Sequence, residues 1–255
     1  MNPAQAKTIR CLAVAAFWLT VWQLAAAAVG KELLLPGPMT VLKKLIELAV
    51  TGAFWRTLGR SILRVLTGIL AGAILGMLAG LLTYKSRLAR ELLSPIMTLL
   101  KSTPVASFII LALVWLGRDA VPVFIAGLMV LPVVWANTAA GLAGIDPQLL
   151  ELAAVYRFPR MKMFRRIMWP SLLPYLRSAL RSALGLGWKA GIAAEVLTVP
   201  PWSIGKSIYE AKLYLETTEL FAWTAAVVLL SFVIERVILR VVDGIGRKER
   251  THAET

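Results

Sequence analysis

Long apolar runs separated by short polar segments dominate this chain. Each run has about 20 residues or more, the length that a helix needs to cross the hydrocarbon core of a bilayer. The runs lack the alternation of barrel strands, so they predict helices rather than strands. The six predicted membrane spans lie at about residues 9–29, 58–82, 95–116, 121–142, 174–197 and 219–242. They leave little chain for a soluble domain, and we expect one all-α polytopic membrane domain over residues 1–255.

The first run also has some features of a secretory signal. Lys7 and Arg10 precede it, and a string of alanines, Ala25–Ala28, offers a conceivable cleavage site. However, the run is longer than the usual signal core and contains Trp18. These features favour an uncleaved membrane anchor.

A polar segment between the fourth and fifth runs, residues 146–173, predicts two short helices that meet at an elbow. Asp146 is suited to cap the first helix, because its carboxylate accepts backbone N–H bonds and Pro147 has no N–H to lose. Pro159 disfavours a helical conformation at Phe158. We therefore expect the chain to turn there before a second, basic helix begins.

The same segment resembles the cytoplasmic loop of the membrane permease subunits of bacterial ATP-binding-cassette importers. That loop reads Glu-Ala-Ala, then Gly, then Ile-x-Leu-Pro. The corresponding residues here are Glu151, Ala153, Ala154 and Pro170, and Arg157 stands where Gly is usual. The resemblance extends over most of residues 50–242 and is greatest to the branch that imports nitrate, sulfonates, taurine and related small molecules.

The resemblance implies a six-span permease of the type I importer kind, working as a homodimer. It also implies a separate ATPase that uses ATP and Mg²⁺, and an extracytoplasmic solute-binding protein. The loop would couple the permease to the ATPase through Glu151, Ala153, Ala154, Tyr156, Arg157, Phe158, Pro159 and Pro170. Arg reaches the positive φ of such an elbow only at a cost, unlike Gly. The solute stays open among nitrate, a sulfonate, taurine, bicarbonate and a heterocyclic vitamin precursor.

The charge distribution predicts how the chain lies in the membrane. Lys and Arg outnumber Asp and Glu by 28 to 14, giving a net charge of +14. More of the basic residues fall in the loops on the side of the N-terminus and of residues 146–173, so we expect both termini and this segment in the cytoplasm. The resemblance implies that the membrane is a bacterial inner membrane. Since the cations are divided among loops between spans, they fit anionic lipid headgroups and do not predict nucleic-acid binding.

The second span has a periodic glycine pattern. Gly68, Gly72, Gly76 and Gly80 recur every four residues and so share one face of a helix. Glycines in this pattern allow a neighbouring helix to approach closely. The neighbour is either a helix of the same subunit or one of a second subunit.

Ionisable and polar residues inside the spans are candidates for a transport path. A lysine near the bilayer centre costs roughly 2.5–3.5 kcal/mol to insert, so it should face protein or water. We hypothesise that Lys101, Asn137 and Lys189 line the path, with the lysines favouring an anion. The alternative is a structural role, with Lys101 reaching to the inner interface. Glu195 is six positions after Lys189, about 240° around a helix, so the two do not form a same-face pair.

Enzyme and ion-driven transporter interpretations have less support. His252 is the only histidine and Cys11 the only cysteine, so neither a histidine-dependent triad nor a multi-histidine or cysteine-based metal site is expected. The sequence contains no phosphate-binding loop of the Gly-x-x-x-x-Gly-Lys-Ser/Thr type. We therefore expect no cofactor in this chain and no ATP hydrolysis by it. An ion-gradient-driven secondary transporter is the alternative, but no convincing internal repeat is visible.

Overall fold

The computed structural model describes the backbone of residues 3–251 and the side chains of residues 9, 10 and 12–240. Every regular element in this part of the chain is helical, which confirms the all-α prediction. The helices are α1 (Pro3–Val29), α2 (Pro38–Ala49), α3 (Gly52–Lys85), α4 (Arg87–Ser102), α5 (Val105–Trp115), α6 (Ala120–Ala143), α7 (Pro147–Val155), α8 (Arg160–Met163), a π-helical turn (Phe164–Met168), α9 (Trp169–Thr198), α10 (Ile204–Leu213) and α11 (Thr217–Thr251). His252 and the side chains of Lys7 and Cys11 lie outside the described residues.

Four helical stretches in the described chain are long and apolar enough to cross a membrane. They are Leu12–Val29, Gly52–Lys85, Ala120–Ala143 and Thr217–Arg240. The predicted fifth span corresponds to α9, which has 30 residues but carries several charged side chains. Its charged side chains include Arg181, Lys189 and Glu195, which are described below.

The third predicted span, residues 95–116, is not one continuous helix in the structure. It is divided between α4 and α5, whose axes bend by 108° at a short break. Thr103 at the break is extended, with φ −82° and ψ 135°. The physical reason is Pro104, which disfavours a helical conformation at the residue before it and lacks the N–H that a continuous helix would use.

The glycine face of α3 lies against α6 of the same chain. A Cβ at Gly68 would collide with the carbonyl oxygen of Val123, and one at Gly72 would collide with that of Gly127. A Cβ at Gly76 would lie 2.6 Å from the carbonyl oxygen of Leu131. The two backbones therefore touch where no side chain separates them. Close contacts of this kind replace the hydrophobic driving force that is missing between helices in lipid.

Helix α9 completes the centre of the bundle by packing on both α3 and α6. A Cβ at Gly187 would lie 2.7 Å from Val130 of α6, and one at Gly191 would lie 2.8 Å from Val65 of α3. Val65 and Val130 are fully buried. Three helices thus share one core, and the remaining elements are placed around it.

The short helix α2 is fixed to the start of α11. Val41 of α2 is buried, and the Lys44 ammonium forms an ion pair of 3.1 Å with the Glu219 carboxylate. The hydrogen bond to Glu219 raises the pKa of Lys44, so the Lys44 ammonium stays charged at neutral pH.

The contact between α3 and α6 predicts a large difference between two glycine substitutions on one helix. Gly72→Ala should destabilise the protein by about 1–3 kcal/mol, because the new methyl group meets the backbone of Gly127. Gly59→Ala is the control, since nothing lies within 4 Å of its Cβ position. Thermal denaturation of the detergent-solubilised proteins measures both, and equal midpoints for the two variants would contradict the packing.

Candidate functional site

Helix α7 begins as the sequence predicts. The backbone N–H of Gln148 donates to the Asp146 carboxylate at 2.9 Å, and Pro147 occupies the first turn. This satisfies one of the free N–H groups of the helix start and places a negative charge at the positive end of the helix dipole. The nine-residue helix therefore has a defined first turn although it is short.

The elbow after α7 is a Schellman motif built around Arg157. The N–H of Arg157 donates to the Ala154 carbonyl at 3.0 Å, and the N–H of Phe158 donates to the Ala153 carbonyl at 2.9 Å. Arg157 has φ +49°, the left-handed conformation that glycine adopts without cost. The residue that stands where the loop pattern has Gly thus adopts a backbone conformation that glycine favours.

The two sides of α7 have different surroundings. Ala153 is only 2% exposed and belongs to the main core, and Leu150 and Phe158 pack against that core. The side chain of Ala153 is therefore buried within this chain, whereas the predicted coupling residues Glu151, Ala154 and Tyr156 are exposed. The core-facing side fixes the helix to the bundle.

The other side of α7 presents apolar side chains outward. Val155 is 79% exposed. By their spacing of three and four residues, four exposed side chains share one side of the helix. We refer to them as the exposed apolar face of α7: Leu149, Leu152, Val155 and Tyr156.

The second arm of the loop differs from the predicted short helix. It starts after Pro159 but does not stop before the fifth span, since α8, the π-helical turn and α9 follow one another through residues that all have right-handed helical dihedrals. Pro170 at the start of α9 explains the π turn, because a proline ring displaces the carbonyl one turn earlier. The elbow is therefore joined directly to the core helix α9.

Exposed cations accompany this arm. The Lys162 ammonium lies 4.3 Å from the centre of the Phe158 ring, within the range of a cation–π contact. The other exposed cations of the arm are Arg160, Arg165 and Arg166. They form a basic surface on the arm that follows α7 in the chain.

The three residues predicted for a transport path lie on three different helices, α4, α6 and α9. Lys101 is exposed at the end of α4, with its ammonium 5.9 Å from the ring centre of Trp135. Asn137 donates to the Val133 carbonyl of its own helix at 2.9 Å. Lys189 is exposed on α9. Within the described side chains, no hydrogen bond or ion pair joins any two of the three.

A buried ionic cluster was not predicted from the sequence. Glu195 of α9 is fully buried, and its carboxylate accepts from the Ser61 hydroxyl at 2.7 Å and from the Arg64 guanidinium at 3.0 Å. Arg64 also donates to Asp119 at 2.6 Å. The available signal was an arginine inside the second apolar run and a glutamate inside the fifth.

The same cluster fixes the segment that leads into α10. The N–H of Gly205 donates to Glu195 at 3.2 Å, and the N–H of Ile204 donates to the Ser61 hydroxyl at 2.9 Å. Arg64 donates to the Pro201 carbonyl at 3.2 Å. Glu195 and Ser61 together cap α10 from two other helices, at the end of the bundle that the charge distribution predicts to be outer.

Comparison with known proteins decides the family. Residues 68–250 match the family described as "Binding-protein-dependent transport system inner membrane component". The chain belongs to this family. This confirms the resemblance to permease subunits of ATP-binding-cassette importers, and the ion-gradient alternative is not favoured.

Several relatives of the permease are named for small solutes. The putative aliphatic sulfonates transport permease of Escherichia coli (strain K12) is 33% identical over 78% of this chain and 76% of its own length. The taurine transport system permease of the same strain is 25% identical over 85% of this chain and 81% of its own length. The bicarbonate transport system permease of Synechococcus elongatus is 28% identical over 76% of this chain and 73% of its own length.

Solved structures confirm the fold of the permease. A bacterial transporter "involved in the import of the acidic polysaccharide alginate" matches with a TM-score of 0.62 at 18% identity, covering 96% of this chain and 98% of that one. The MetNI methionine transporter matches with a TM-score of 0.56 at 19% identity, covering 78% of this chain and 97% of that one. At these identities the likeness concerns the fold.

The left-handed Arg157 predicts that Arg157→Gly is more stable than Arg157→Ala by about 1 kcal/mol. Both variants remove the guanidinium, but only glycine removes the Cβ that disfavours a positive φ. Thermal midpoints of the purified permease variants test this. Identical midpoints would mean that the elbow does not hold residue 157 in the left-handed conformation.

The buried cluster predicts that Arg64→Met destabilises the permease by about 3–5 kcal/mol, since it leaves the Glu195 carboxylate buried without its cation. Asp119→Asn, at a carboxylate that is 63% exposed, should cost no more than about 1 kcal/mol. Adding Glu195→Gln to Arg64→Met should recover part of the loss because the buried charge is gone. Unfolding in a denaturing detergent measures all three, and a neutral Arg64→Met would refute the cluster's role.

Proposed function

We propose that α7 is the docking site of a separate cytoplasmic ATPase subunit. The observation that supports this most directly is the division of α7 into a side anchored in the core by Ala153 and an exposed apolar face. Apolar side chains on a cytoplasmic helix are exposed at a cost, and a helix that lays its apolar face into a groove removes them from water. The adjacent basic surface would meet an acidic rim of the same partner.

The anchoring gives α7 a mechanical role. Because Ala153, Leu150 and Phe158 pack into the same core as α6 and α9, a displacement of α7 moves those helices with it. The partner ATPase would bind ATP and Mg²⁺, and its closure would move α7 and switch the spans between inward-open and outward-open states. The permease itself contributes no catalytic residue to hydrolysis.

We further propose the assembly that surrounds this subunit. Two copies of the permease would form a homodimer with two ATPases, and a solute-binding protein would deliver solute at the outer face. The family description supports a dependence on such a binding protein. Both termini and α7 would lie on the cytoplasmic side of the inner membrane, as the basic residues predict.

The solute that we propose is a small oxyanion or sulfonate. Sulfonates, taurine and bicarbonate, for which the relatives are named, each carry an anionic oxygen group. Lys101 and Lys189 offer cations on exposed surfaces of the bundle, and Asn137 adds a polar group from α6. These three residues stay candidates for the transport path.

Replacement of one leucine by glutamate tests the docking site. Leu152→Glu places a charge in the exposed apolar face of α7, where the wild-type side chain is 51% exposed, so it should abolish or greatly weaken association with the ATPase. Leu213→Glu is the matched control, since Leu213 is 61% exposed on α10 at the predicted outer end. Co-purification of the ATPase with each detergent-solubilised variant is the measurement.

The control variant should retain the ATPase, and both variants should elute from size-exclusion chromatography as folded permease. Retention of the ATPase by Leu152→Glu at the wild-type level would contradict docking through this face. Loss of the ATPase from both variants would show that the effect is not specific to α7.

A further inference from the structure

One side of α9 carries cations that nothing in the described chain neutralises. Arg181 and Lys189 are exposed, as are Ser178 and Ser182, and Gly185 lies between them. At 100° per residue these five positions fall within about a 100° arc, so they form one continuous strip. We call Ser178, Arg181, Ser182, Gly185 and Lys189 the cationic face of α9.

The strip lies in the middle of a predicted span. With a rise of about 1.5 Å per residue, Arg181 and Lys189 are each within about 7 Å of the centre of residues 174–197. Neither side chain makes a hydrogen bond or ion pair within the described part of the chain. A basic side chain at this depth costs roughly 2.5–3.5 kcal/mol to insert, so this strip is poorly suited to face lipid.

A second copy of the chain is also a poor occupant for this strip. Glu195 is the only acidic residue of α9, and it is buried away from the strip with its own donors. Two copies that packed α9 against α9 through this strip would therefore set like charges against each other, which costs several kcal/mol. Water and a mobile anion satisfy the face, whereas lipid and a contact between two α9 helices do not.

We propose that the cationic face of α9 is the wall of the transport path that contacts the solute, and that it selects anionic oxygen groups. This inference rests on the proposed importer function and adds its substrate-contacting surface. Arg181 supplies a planar donor fork, Lys189 a point charge, and the two serines supply hydroxyl donors, a set that matches a sulfonate or carboxylate. The open space beside Gly185, where nothing lies within 4 Å of a Cβ position, leaves room for the anion to approach the backbone.

A cysteine at the centre of the strip reports its surroundings directly. In a Cys11→Ser background, Gly185→Cys provides a single thiol at a position with room for it. The full-length permease, with and without its ATPase, is placed in lipid nanodiscs so that both sides are accessible. Two methanethiosulfonate reagents of similar size, one ending in a sulfonate and one in a quaternary ammonium, then modify the thiol. Their rates are normalised to those of free cysteine.

We expect the sulfonate reagent to react about tenfold faster than the ammonium reagent, and Lys189→Gln and Arg181→Gln each to reduce this ratio about threefold or more. Leu229→Cys on α11, at a position 57% exposed in an apolar stretch, is the lipid-facing control and should react with neither reagent.

Two outcomes would overturn the proposal. If Gly185→Cys is as unreactive as Leu229→Cys, the face is covered by lipid or by a second copy. The thiol could instead react, but with a ratio of sulfonate to ammonium rates that does not change when Lys189 or Arg181 is neutralised. The face would then be accessible to water without selecting anions. The rates in permease alone do not depend on the ATPase, so failure of docking through α7 would not be mistaken for failure of this proposal.

Discussion

The direct contact between the backbones of α3 and α6 is the constraint on which the rest of the bundle depends. In lipid, two helices gain little from removing apolar surface, so they associate where close packing is possible. Gly68, Gly72 and Gly76 permit that packing, because each faces an α6 carbonyl with no side chain between. The paired helices then form the surface on which α9 packs through Gly187 and Gly191.

This core explains how a short loop helix acquires a fixed position. Nine residues are too few for a helix that is stable by itself, and α7 depends on the core contact of Ala153 and on the bonds at its two ends. The Schellman motif at Arg157 then directs the chain into an arm that continues as α9. The exposed apolar face and the helical core are thereby joined in one continuous structure, as the proposed coupling to an ATPase would require.

Local signals made much of this predictable. Asp146 with Pro147 defined the start of α7, and Pro159 with the unusual Arg157 located the elbow, because each acts on its own neighbours in the chain. Which side of α7 packs into the core through Ala153 was not predictable, since it depends on packing against distant helices. The same holds for Arg64 and Glu195, which are 131 residues apart and meet only in the folded bundle. Pro104 was a local signal for the break in the third predicted span. The length and hydropathy of residues 95–116 nevertheless favoured one continuous helix.

The most direct measurement is hydrogen–deuterium exchange of residues 147–158 in the permease alone and in complex with the proposed ATPase partner. If α7 is fixed to the core before the partner binds, the amides of Arg157 and Phe158 should already be protected in the free permease, close to the level of α6. Exchange at the rate of an unstructured peptide in the free permease, with protection appearing only in the complex, would contradict this. The helix would then be ordered by the ATPase and not by the bundle.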